Sequence, residues 1–69
     1  MYWTKENKYY KLFEQPTLFG TIDVVCVWGR VGGNLGGYKV IPCETELELD
    51  TVVERVTKRR LSRGYEISE

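Results

Sequence analysis

The sequence predicts an α+β fold, a small antiparallel β-sheet of three to five strands with one α-helix packed across it. Three observations carry this. Residues 8–15, 21–31 and 38–43 are runs rich in aromatic and β-branched side chains, separated by proline- and glycine-bearing turns. After Thr45 the pattern changes to helical spacing, with Leu49, Val52, Val53 and Val56 at i, i+3, i+4 and i+7. The length of 69 residues suits one domain, close to the lower limit for a core without metal or disulfides. Residues 1–69 therefore read as one domain, with 1–6 a loosely held N-terminus and 7–67 the folded core.

Each element has a local reason. Residues 1–6 hold Tyr2 and Trp3 but no clear period. In the first strand Tyr10, Leu12 and Glu14 share one face and Tyr9, Lys11 and Phe13 the other. Pro16 ends it, because proline cannot donate to a ladder. The following turn is too long for a two-residue hairpin, and Leu18 and Phe19 are expected to tuck in as a plug. Along residues 21–31 alternation puts Ile22, Val24, Cys26, Trp28 and Arg30 on one face. A glycine-rich loop follows, and Pro42 confines the end of the third strand to an edge or a bulge.

A loop symmetric about Asn34-Leu35 would set Arg30 opposite Lys39, Trp28 opposite Ile41 and Cys26 opposite Cys43, unless a bulge offsets the pairing by one residue. The two thiols read as small buried hydrophobes rather than a functional disulfide. Thr45 and Glu48 form a capping box, worth about 1 kcal/mol. Glu44, Glu46, Glu48 and Asp50 lead the helix, and Lys58, Arg59, Arg60 and Arg63 close it, so both ends suit the macrodipole. Gly64 stops it, and Tyr65 and Ile67 return as a short extended tail. Arg60 falls inside the apolar stripe, with its stem expected to pack and its head to emerge past the sheet end.

Composition narrows the function. Formal net charge is zero, so attraction to a polyanion must come from a local patch. The chain has no histidine and only two cysteines, which removes the commonest general base and the usual zinc sets. An enzyme, a cofactor, a metal and a small-molecule substrate are not expected. No apolar run is long enough to span a membrane and the start is not a signal peptide, so no membrane partner and a cytoplasmic location are expected. The main functional clue is Trp28 beside Arg30, a stacking surface next to a fixed positive charge. The competing reading has Trp28 as core and Arg30 paired with Asp23 or an acid of residues 44–50. The basic cluster at Lys58, Arg59, Arg60 and Arg63 either extends a basic surface or is simply solvated.

The motif Trp28-Gly29-Arg30-Val31-Gly32 resembles the core of the WGR domain family. The likeness spans 7–65: Asn7-Lys8-Tyr9-Tyr10-Lys11-Leu12 is similar to the family's opening strand, and Arg63-Gly64-Tyr65 to its close. Lys39 matches a basic residue of the next strand, Thr45 the helix cap, and residues 15–20 resemble bacterial members in particular. Cys26 stands where bacterial members often carry arginine. The resemblance implies an antiparallel sheet crossed by one helix. It also implies a non-catalytic nucleic-acid-binding module for DNA ends or breaks. Carried over residue by residue, Trp28, Arg30, Lys39 and Asn7 are the binding candidates; Lys58, Arg59, Arg60 and Arg63 join them only as the basic extension read from the charge cluster at the helix end. The alternative is an adaptor that holds a protein partner on the same Trp-Arg surface.

Overall fold

The computed structural model describes residues 1–33 and 36–68. Its elements are β1 (Tyr2–Lys5), β2 (Lys8–Pro16), β3 (Ile22–Arg30), β4 (Gly36–Cys43), α1 (Glu46–Ser62) and β5 (Glu66–Ile67). The strands form one antiparallel sheet in the order β4-β3-β2-β1-β5, and α1 packs against one face of it. The α+β arrangement expected from the sequence is the one observed. Because β4 and β5 are opposite edges, the chain between them must cross the sheet. A 17-residue helix spans roughly 25 Å and four strand spacings roughly 19 Å, so α1 has the length to do it. No helix among the described residues is long and apolar enough to cross a membrane.

The core lies between α1 and the sheet face that carries Trp3, Tyr10, Leu12, Val24, Cys26 and Cys43, with Leu49 and Val56 closing it from the helix. Thr45 caps α1 as its sequence predicts: its hydroxyl accepts the Glu48 N–H at 3.1 Å. At the other end Gly64, at φ 87°, allows the chain to reverse. The Gly64 N–H then reaches the Leu61 carbonyl at 3.1 Å and the Tyr65 N–H the Arg60 carbonyl at 3.0 Å. These two bonds are a Schellman close, which turns Tyr65 back over the last turn of the helix.

Three expectations are corrected. The N-terminus is not loosely held. Tyr2–Lys5 pairs with β2 on one side and β5 on the other, and Trp3 is fully buried. So short a strand shows no period in sequence, and the strand that pins it lies more than 60 residues away. Leu18 and Phe19 are not a plug. Both are almost wholly exposed at the β2–β3 tip, where the Thr17 hydroxyl bonds the Thr21 hydroxyl at 2.7 Å and accepts the Phe19 N–H at 3.2 Å. Closing the turn on its own polar groups leaves the two apolar side chains pointing outward.

The third correction is the β3–β4 register. Trp28 faces Gly37, Cys26 faces Lys39 and Ile22 faces Cys43, a shift of four residues from the symmetric-loop expectation. Gly36 and Gly37 belong to the strand, and β3 leaves no room there for a side chain: its backbone crowds Gly36 and the Trp28 indole crowds Gly37. A Cβ on Gly37 would stand 2.8 Å from Cζ2 of Trp28, and one on Gly36 would overlap the Trp28 carbonyl. An even shift keeps every side chain on its expected face but changes its neighbour. Arg30 and Lys39 are consequently not opposite each other. Cys26 and Cys43 are four residues apart along the ladder, roughly 13 Å, and both are buried free thiols. The expected loop centre, Asn34-Leu35, lies outside the described residues.

Two measurements check these points. Trp3→Ala removes the largest fully buried side chain and is expected to cost roughly 3–5 kcal/mol in urea unfolding, whereas a frayed terminus would lose almost nothing. Gly37→Ala is expected to cost roughly 1–3 kcal/mol and to shift Trp28 emission in a Trp3→Phe background; unchanged emission would refute the pairing.

Candidate functional site

The site forms where β3 and β4 meet the C-terminal half of α1. Trp28 and Tyr10 are ladder partners, so their rings stack at 5.8 Å between centroids with 12° between planes. Trp28 is partly buried: it packs on the core with one side and leaves the rest of its ring at the sheet end. The Schellman close delivers Tyr65 to the same place, edge-on to Tyr10 at 6.5 Å. Between helix and rings lies Arg60, its guanidinium carbon 4.1 Å from the Tyr10 centroid and 5.0 Å from that of Tyr65. Contacts of this kind are worth about 0.5–2 kcal/mol each.

Arg60 thus departs from its expectation. Its head does not emerge past the sheet end but stays 9% exposed, under the aromatic pair. Its Nε has no hydrogen-bond partner, and no carboxylate pairs with it among the described residues. Burial is the main cause that pushes the Tyr10 phenol up to about 12, helped by the neighbouring Cys26 thiol and opposed by the Arg60 charge. That ring therefore stays neutral and keeps its π-face available to the guanidinium.

Three adjoining hollows open around this stack. One of about 330 Å³ is lined by Tyr10, Trp28, Lys39, Arg60, Arg63 and Tyr65. The next, about 240 Å³, runs past Trp28 and Tyr65 to Lys8, Gly29, Arg30 and Gly36. The third, about 310 Å³, follows Tyr10, Lys39 and Arg60 to Arg55 and Arg59 along the helix. Shared lining residues make them one groove. Among the described residues seven cations edge it (Lys8, Arg30, Lys39, Arg55, Arg59, Arg60 and Arg63) and no carboxylate does. The lock between Arg30 and an acid weighed from sequence is not found among the described residues. The one ion pair among the described residues joins Lys58 to Glu54 at 3.1 Å on the exposed helix face.

The structure thus brings Trp28, Lys39, Arg60 and Arg63 together, with Arg30 and Arg59 in the adjoining hollows. Lys58 stays apart, beside Thr51 and Arg55. Asn7 is exposed in the β1–β2 turn and lines none of the three hollows; its carbonyl accepts the Val31 N–H at 2.7 Å. Sequence reading missed Tyr10, Tyr65, Lys8 and Arg55 as site residues. Tyr10 had a signal, since alternation already placed it on one face with Leu12. Tyr65 had one in Gly64, whose turn sets its direction. Among the described residues no three His, Cys, Asp or Glu side chains converge to hold a metal.

Residues 3–69 match the family model described as WGR domain. No curated protein and no solved structure matches the chain. The tripeptide Trp28-Gly29-Arg30 sits at the mouth of the groove, with Gly29 between the two hollow-lining side chains. The chain belongs to the WGR domain family, small modules without a catalytic role of their own that are often linked to nucleic-acid binding.

Proposed function

We propose that the groove binds the exposed end of a DNA strand, at a break or terminus, without catalysing a reaction. The observation that carries this reading is the groove's make-up, an accessible indole backed by Tyr10 and surrounded by cations, with no acid among the described residues that line it. A π-face accepts a base or sugar regardless of sequence, and stacking of this kind contributes roughly 1–3 kcal/mol. Arg30 and Lys39 stand on either side of the indole, where each can neutralise a phosphate and carry no sequence information in doing so. An end suits the site better than continuous duplex, because stacking on Trp28 needs a nucleotide whose face is uncovered.

Titration of fluorescent nicked, gapped and blunt duplexes, with and without a 5′-phosphate and at two salt concentrations, tests the reading. Ends are expected to bind better than intact duplex. Two or three phosphate contacts give a log-log salt slope of about −2 to −3. Trp28→Ala should lower affinity roughly five- to 150-fold, the equivalent of one lost stack. Binding indifferent to Trp28, or no binding at low salt, would instead favour a protein partner on the same surface. A pull-down controlled with the Trp28→Ala, Arg30→Ala double variant would then identify that partner class.

A further inference from the structure

We infer that the sheet face turned away from α1 is an interface, and that its occupant is a second copy of this chain. The core and the groove lie on the helix side and take no part in it. An antiparallel sheet covered on one side ordinarily alternates apolar residues inward with polar residues outward. Here the outward positions break that rule. Ladder pairing sets Phe13, Val25 and Val40 in one row across β2, β3 and β4. The next row holds Lys11, Val27 and Tyr38, with Tyr2 of β1 beside Lys11. Phe13, Tyr38 and Val40 are exposed, and no element of the fold covers them. Along β2 the face runs roughly 30 Å, and across β1–β4 roughly 19 Å. That is about 600 Å² in projection and more as accessible surface, close to the roughly 800 Å² each partner buries in a stable pair.

The placement of the side chains favours a copy of the same face. Two sheets pack face to face with their strands nearly aligned, and a two-fold axis running across the strands closes such a pair. Set on the Phe13–Val25–Val40 row, the axis lays each of these residues against its own counterpart. It carries the Lys11 row over the row of Gln15, Asp23 and Pro42. Lys11 and Asp23 are the two charges on this face of β2, β3 and β4, and neither has an ion partner among the described residues. The axis brings Lys11 within side-chain reach of the partner's Asp23, and does so at both symmetric positions. It also carries the β2–β3 tip over the partner's Tyr9. Leu18 and Phe19, 100% and 92% exposed, gain there an apolar seat that their own chain does not offer. The Thr17–Thr21 hydroxyl bond already holds that tip in shape. A formal charge of zero leaves no long-range repulsion between two copies.

Sedimentation equilibrium of the whole chain over a wide concentration range reads the pairing directly. The mass should rise from 8.1 kDa toward twice that value. Phe13→Lys sets two like charges together on the axis and should weaken association about a hundredfold or more. Val40→Lys, at a similarly exposed position of the same row, serves if that variant fails to fold. Lys11→Asp and Asp23→Lys test the register. Each alone meets like charges across the interface and should pair about ten- to hundredfold more weakly. Mixed together, the two variants match opposite charges at both positions and should recover the affinity of the unsubstituted chain. A mass fixed at 8.1 kDa overturns the self-pairing and leaves the face to a different protein chain. Association that ignores the lysine variants, as pairing through the β4 edge would, overturns it too, and so does a mixture no tighter than its components. Phe13 and Trp28 lie on opposite faces, so the Phe13→Lys monomer should keep the preference for DNA ends proposed for the groove. Loss of either property leaves the other standing.

Discussion

The Tyr10 ring holds this small structure together. It meets Trp3 edge-on at 6.1 Å, stacks beside Trp28, carries the Arg60 guanidinium and takes the edge of Tyr65. Those four neighbours come from β1, β3, α1 and the segment leading into β5. One side chain therefore ties the N-terminal strand, the central hairpin, the helix and the C-terminal return into one packed unit. Aromatic residues bury more area than any other type, and in a chain this short a few must do most of the packing. The consequence is that core and groove are not separate regions. The face of Tyr10 that stabilises the fold also positions the indole and the cation that line the groove.

Much of this was readable from the residues. The face assignments along β3 follow from alternation, because the side-chain period of a strand is two and no bulge interrupts it. The helix followed from its cap, its stripe and its stop. What failed shares one cause. The β1 pairing, the register of β4 and the direction of Leu18 and Phe19 all depend on partners distant in sequence or on the space around another side chain. Glycines 36 and 37 looked like loop because local propensity says so, yet the Trp28 ring leaves room only for hydrogen at position 37.

The site was half legible for a related reason. Trp28, Lys39, Arg60 and Arg63 could be singled out by type and position, and the groove gathers them. Asn7 and Lys58 could be singled out equally well, and the groove leaves them outside. Tyr10 and Tyr65 drew no notice as site residues, since an aromatic in a strand or tail is ordinarily packing. Here it is packing and lining together. Only the observed approach of Arg60 to both rings distinguishes the two roles.

The formal charge of zero conceals a polarity along α1. Acids gather at its start and arginines at its finish, and from residue 46 to residue 60 the rise is roughly 21 Å. That is more than twice the Debye length at physiological ionic strength, about 8 Å. A polyanion near the arginine pole is thus screened by salt from the acidic pole and meets what is, locally, a cation. From farther away the molecule is a dipole rather than a monopole. It gains little attraction at a distance, but it acquires a torque that turns the groove toward the anion before contact.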